Sequence, residues 1–290
     1  MIFINTKYLD TRGVPLSLNR LSVQNKLTSL FLGTCTASDF GTDHYGKDDV
    51  TDRLKAYSLG KLNLEPNDEP KCYYCESRCQ QVATLQVEHF RPKKTVELQD
   101  TNGVHHSGYY WLVVDWHNLL LACPACNGRS AKGNRFPILG ARATTNTCNL
   151  QLERQLLINP EIEDPSRYLT FNSEGQIFGT GNKATCKGYT SIPIYQLNRD
   201  SLVVRRKKIW DEYSNEISEA VFAVKNRYFS IYSIRPLFKL IIIKIKKTQN
   251  QDAEYSLWGR YINDNIRYLI RAVPIGIKYQ DLFIKLYKNL

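Results

Sequence analysis

Long apolar runs are missing from this chain of 290 residues. The best of them, Leu240 to Ile243, is stopped by Lys244, far short of the roughly 18 apolar residues that a membrane span needs. The expectation is a protein without membrane segments. The opening MIFINTKYLDTR lacks a cationic region followed by an apolar one, so it does not read as a secretory signal, and a cytoplasmic location is expected. Internal repeats and low-complexity tracts are absent as well. With 42% hydrophobic and 23% charged residues, the composition is that of a globular chain and argues against extensive disorder.

Acidic residues are in short supply. Asp and Glu number 28 against 39 Lys and Arg, a formal charge of +11 that suits a polyanionic partner. The excess is concentrated: residues 197–290 carry 18 basic and 9 acidic groups, whereas residues 1–70 carry 8 and 9. A solvated helical face would give the same count, so charge alone does not establish nucleic-acid binding.

Four segments follow from patterning. Residues 1–70 form an N-terminal extension, partly helical around Arg20 to Leu32 and from Asp48 to Leu59, with the turn-rich TASDFGTDHYG between and nothing that suggests chemistry. Residues 71–140 are dense in Cys, His and aromatics. Residues 141–196 read as a connector of loops and short strands such as LTFNSEGQIFG. Residues 197–290 read as all-helical. Within them Leu202, Ile209, Tyr213, Ile217, Val221 and Val224 mark a long amphipathic helix with Asp200 or Ser201 as its cap, and a second helix is expected over Glu254 to Ala272, closed by Pro274.

Cysteine is the residue present in pattern. Cys72 and Cys75 form CYYC, Cys123 and Cys126 form CPAC, and such spacing turns two thiolates onto one tetrahedral ion. A structural zinc site is expected from the two pairs. The alternative is buried free thiols, and Cys79 could compete as a ligand. Some 47 residues separate the pairs, against roughly 15 to 20 in a compact ribbon, so something is inserted between the zinc halves. Cys35, Cys148 and Cys186 read as buried small apolar residues.

The insertion holds VEHFRPKK, a strand ending at Glu88 and His89, and then Asn118, with Asn127 directly after the second pair. His117 reads as structural or substrate-facing, and His105 and His106 as an exposed loop. Together, Glu88, His89, Asn118 and Asn127 bracket the expected zinc site.

The run of EH, an Asn before an apolar stretch, CxxCN and a downstream Lys resembles the zinc-containing HNH endonucleases. CxYCE, VEHFRPK, YYWL, DWxNLLLACxxCN and KGNRFP resemble, more narrowly, the PtuB nucleases of Septu and retron-associated antiphage systems. That resemblance implies an α+β, mostly helical chain with a zinc-stabilised ββα-metal core. It also implies a metal-dependent endonuclease acting on DNA or RNA, including tRNA. His89 would be the general base, Glu88 and Asn127 ligands of a catalytic Mg²⁺ or Mn²⁺, and Asn118 an orienting residue. Arg129, Lys132, Arg91 and Lys93 are candidates to contact the nucleic acid. The implied partner is a PtuA-like ABC or SMC-type ATPase, with a retron reverse transcriptase and its DNA in some systems. The stripe on the long C-terminal helix is expected to dock it while the run RRKK at 205–208 faces nucleic acid. The competing readings are burial of that stripe within the chain and, for the whole protein, a non-catalytic zinc-organised binding module.

Overall fold

The computed structural model describes residues 1–97 and 108–290. His105 and His106 therefore lie outside the described residues. The chain is α+β and dominated by helix, its strands gathered in small two-stranded sheets. It divides into two compact units: Met1–Leu169 with Phe178–Leu197, and Thr170–Ile177 with Asn198–Leu290.

In the first unit, helix α1 (Leu21–Phe31) buries Val23 and Leu30. Helix α2 (Asp48–Ser58) buries Val50, Leu54, Ala56 and Tyr57 at helical spacing, with Asp48 and Asp49 in the first turn where the helix dipole favours them. Strand β1 (Gln86–His89) then pairs antiparallel with β2 (Leu119–Ala122), His89 opposite Leu119 and Gln86 opposite Ala122. All of β2 is buried, which explains why LLLA shows no alternation. Helix α3 (Pro124–Asn127) follows at once, with Pro124 at its first position, where a missing amide hydrogen costs nothing. Strands β3 (Ile138–Leu139) and β4 (Arg154–Gln155) pair antiparallel. Helix α4 (Lys187–Ile194) leads to Tyr195, which stacks on Tyr74 at 4.0 Å.

The second unit holds α5 (Asp200–Lys225), α6 (Ile234–Lys247), α7 (Ser256–Asp264), α8 (Ile266–Ala272) and α9 (Ile277–Lys288). Trp258 is its buried centre, ringed by Phe171, Trp210 and Tyr261 within 5.8 Å, and its indole N–H donates to the Arg206 carbonyl at 3.0 Å. At Gly259 a side chain is excluded outright, because a Cβ there would lie 2.1 Å from the Thr248 carbonyl oxygen.

Several expectations are corrected here. Neither Asp200 nor Ser201 caps α5: Arg199 stands at the cap and no side chain bonds the first amides. The helix expected over Glu254 to Ala272 is two, broken at Asn265, whose backbone amide and side chain both donate to the Tyr261 carbonyl, at 3.0 and 2.9 Å. The apolar stripe of α5 does not stand free: Leu202, Ile217, Val221 and Val224 are buried and Ile209 and Tyr213 half-buried, with α6 and α8 packed on the helix. Nor does RRKK stand free. Arg206 is buried, Arg205 pairs with Glu254, Lys207 with Glu174 and Asp211, and Lys208 with Glu212. Among the described residues, no helix is long and apolar enough to cross a membrane.

Candidate functional site

Two tight turns bring the cysteine pairs together. In the first, the Glu76 amide donates to the Cys72 carbonyl at 2.9 Å while Glu76 takes φ 64°, a left-handed conformation that reverses the chain. The Tyr73 amide donates to the Leu121 carbonyl at 2.9 Å, fixing this turn against β2. In the second, the amides of Cys126 and Asn127 both donate to the Cys123 carbonyl at 3.0 Å. The sulfur atoms of Cys72, Cys75, Cys123 and Cys126 lie within 4.8 Å of one another, all buried. Cys75 and Cys123 are 3.8 Å apart, and the Cys123 amide points at the Cys72 sulfur at 3.3 Å. Tetrahedral zinc–thiolate bonds of about 2.3 Å set sulfurs roughly 3.8 Å apart, so the quartet fits a structural ion such as zinc. Cys79 stays outside the quartet. Cys35, Cys148 and Cys186 are half-buried rather than buried, a correction to the expectation.

His89 closes β1 at the end away from Cys123, opposite Leu119, and is buried. Its Nε2 lies 2.9 Å from the Val113 carbonyl oxygen, which can only accept, so Nε2 carries the hydrogen and Nδ1 keeps its lone pair. Burial pushes the imidazolium pKa down to about 3, outweighing the Val113 bond, so the ring is neutral. The edge of the Tyr45 ring meets the imidazole at 4.8 Å and 89°.

Asn118 fastens the backbone around that ring. Its Oδ1 accepts from the Arg91 amide at 2.8 Å, and its Nδ2 donates to the carbonyls of Arg91 and Leu112 at 3.0 and 3.2 Å. One side chain thus ties the loop after His89 to the turn that presents the Val113 carbonyl.

Alternation along β1 sets Gln86 and Glu88 on one face and His89 on the other. Asn127 joins the first face, its Nδ2 donating to Gln86 Oε1 at 3.2 Å. Glu88 is buried, which raises its pKa, and its Oε1 is 2.5 Å from Nζ of the fully buried Lys132. The same ammonium donates to the His89 carbonyl at 3.0 Å. Lys132 is therefore engaged within the protein.

The other basic candidates differ in the same respect. Arg91 pairs with Glu153 and reaches Gln155, both at 3.1 Å. Lys93, its pKa lowered to about 8 by burial, donates to the Phe40 carbonyl at 2.5 Å and the Tyr45 hydroxyl at 2.8 Å. Arg129 is exposed. His117 is half-exposed, bonded to Glu161 at 2.6 Å and stacked on Tyr8.

Sequence reasoning missed Tyr45 and the Val113 carbonyl. The segment around Tyr45 was expected to carry no chemistry, yet it walls the His89 ring. A turn-rich stretch such as GTDHYG gives no spacing signal for a contact made 44 residues along the chain.

No family model matches the chain. It is 41% identical over 141 residues to the Septu protein PtuB of Bacillus mycoides (strain KBAB4), covering 48% of this chain and 46% of that protein. It is 31% identical over 152 residues to a Septu protein PtuB of Bacillus thuringiensis, covering 51% and 45%. A Septu protein PtuA of Bacillus mycoides (strain KBAB4) is 32% identical over 148 residues, 50% of this chain but 20% of the longer relative. The chain spans less than half the length of the curated relatives it matches.

Proposed function

We propose that this chain is an HNH-type endonuclease, the effector of a Septu-like antiphage system. The observation that carries the reading is the His89 imidazole, held by the Val113 carbonyl with Nδ1 unprotonated, at the end of a β-β-α unit fastened by four cysteines. Similarity to the PtuB relatives supports the defence setting.

Phosphodiester hydrolysis needs a base for the attacking water. His89 Nδ1 takes that proton, and the Val113 bond keeps the other nitrogen from competing for it. Asn118 acts through the backbone, holding both the loop and the carbonyl that aim the ring. The quartet would hold zinc, which joins β1 and α3 without entering the chemistry.

The β1 face that carries Glu88, Gln86 and Asn127 is the candidate place for a catalytic Mg²⁺ or Mn²⁺. Carboxylate and amide oxygens are the hard donors such ions take. Lys132 already neutralises Glu88, so Glu88 and Asn127 would hold the ion only once that ammonium withdraws. Bound there, the ion would supply charge neutralisation on the face of β1 opposite His89, so ion and base would act from separate sides of the strand end. Arg129, with its exposed guanidinium, contacts the substrate backbone, while Arg91, Lys93 and Lys132 shape the loop that presents it.

The partner is a PtuA-like ATPase that restrains the nuclease, joined by a retron reverse transcriptase and its DNA in systems that have them. In the longer PtuA relative, a stretch similar to this chain makes up one fifth of a single polypeptide, which supports a working association between this module and the remainder.

The test is incubation of purified protein with plasmid DNA and with total tRNA, each with Mg²⁺, Mn²⁺ or EDTA. Cleavage is expected with metal, abolished by His89→Ala at unchanged zinc content, and its rate should not fall on acidification from pH 7.5 to 5.5 through titration of His89. Wild-type rates in His89→Ala overturn the base assignment. An inert wild type that still binds nucleic acid would instead identify the non-catalytic module.

A further inference from the structure

The α5 stripe is covered within its own unit, yet the corner that follows it is not. Beyond Val224 the chain leaves the helix through Arg227 at φ 61°, and Phe222, Tyr228, Phe229, Ile231 and Tyr232 are each more than half exposed, Tyr232 reaching 87%. Soluble chains seldom leave so many large apolar side chains together in water.

These residues lie close to one another and to a neighbouring groove. The Phe222 and Tyr228 rings are 6.3 Å apart, and Lys225 sits 5.6 Å from the Tyr279 ring of α9. Ile231 and Tyr232 open into a groove of about 470 Å³ between the start of α6 and α9, with Tyr279 and Leu282 along its other wall. Around it stand Arg235, Lys278 and Lys285, against Asp281. The floor is aliphatic as well as aromatic, and Ile231, Ile234 and Leu282 offer no donors or acceptors to a nucleobase edge. An apolar trough with cationic walls is complementary to a short segment that sets carboxylates beside apolar side chains.

We infer that this corner is the docking surface for the partner ATPase, taking an acidic amphipathic segment of it into the groove between α6 and α9. The inference rests on the ATPase partnership proposed above and names the surface that serves it. Tyr232 and Leu282 bury the apolar side of the segment. Arg235 and Lys285 meet its carboxylates, which makes the complex sensitive to salt.

The experiment measures affinity between the full-length chain and the PtuA-like ATPase of its own host, for wild type, Tyr232→Asp, Leu282→Asp and the double variant Arg235→Glu/Lys285→Glu. Thermal stability and zinc content serve as controls on folding. Each variant is expected to bind at least tenfold more weakly, and the charge reversal should also flatten the salt dependence. Because Tyr232 is so exposed, its substitution tests the surface even if Leu282→Asp fails to fold. Wild-type affinity in stable Tyr232→Asp and Arg235→Glu/Lys285→Glu variants overturns the surface while leaving the partnership intact. Absence of binding by the wild type overturns the partnership and the surface together. Loss of single-stranded DNA or RNA affinity with the ATPase complex unchanged assigns the corner to nucleic acid instead.

Discussion

At the scale of single residues, the decisive arrangement is a lysine that touches both neighbours of one peptide bond. Lys132, fully buried, neutralises the Glu88 carboxylate and donates to the His89 carbonyl. Removing one partner of such a pair leaves an uncompensated buried charge, at a cost of about 3–5 kcal/mol. Lys132→Met should therefore lower the thermal midpoint sharply, and Glu88→Gln combined with it should restore part of the loss. If Mn²⁺ is a counter-ion for Glu88, adding it should raise the midpoint of Lys132→Met more than that of wild type. Equal responses in a melting series would count against Glu88 as a metal ligand. That Glu88, His89 and Asn118 belong together was legible in the sequence because they stood at fixed places in a motif, and the pairing of β1 with β2 brings them close. The contacts were not, since Lys132 reads as a candidate to contact nucleic acid until the chain after Cys126 folds back and carries its ammonium to Glu88 and the His89 carbonyl.

Among elements, the cysteine turns do work that hydrogen bonding across β1 and β2 cannot do alone, since each strand has four residues. A two-stranded sheet of that length is marginal in water without other support. Cys123→Ser should reduce zinc from about one equivalent to well below it and expose the β1–β2 interface, seen as lost protection in hydrogen exchange of Val87 to Phe90. Full protection in a zinc-free variant would refute the joining role of the quartet. Periodicity made α2 and α5 readable, and the alternating stretch LTFNSEGQIFG appears as the strands Leu169–Phe171 and Ile177–Gly179. It could not say what covers an apolar face. The α5 stripe has the same spacing whether its partner is another protein or α6 and α8 of the same unit, and Trp210 and Arg206, off the expected stripe, lie as deep as its members.

For the molecule as a whole, the boundary matters more than the number of parts. A cut near Pro193 looks like a clean way to remove the helical region, yet Tyr195 and Leu197 beyond it are fully buried residues of the first unit. A chain ending at Leu197 keeps them but strands Thr170–Ile177, whose Phe171 belongs beside Trp258. Such a chain should bind zinc, melt below the full-length protein, and regain stability when residues 198–290 are supplied as a separate polypeptide. A melting curve identical to that of the intact protein would contradict the assignment of residues 170–177 to the second unit.

That short excursion bears on how such a protein can be remodelled. Because the polypeptide visits the helical unit once before finally committing to it, a single splice point cannot transplant that unit. Recombination between relatives that exchanged only their tails would produce a helical bundle seated on a foreign hairpin, with a mismatched aromatic at its heart. Viable chimeras should carry both pieces from one parent, and natural shuffling of this region should move the hairpin and the bundle as an inherited pair.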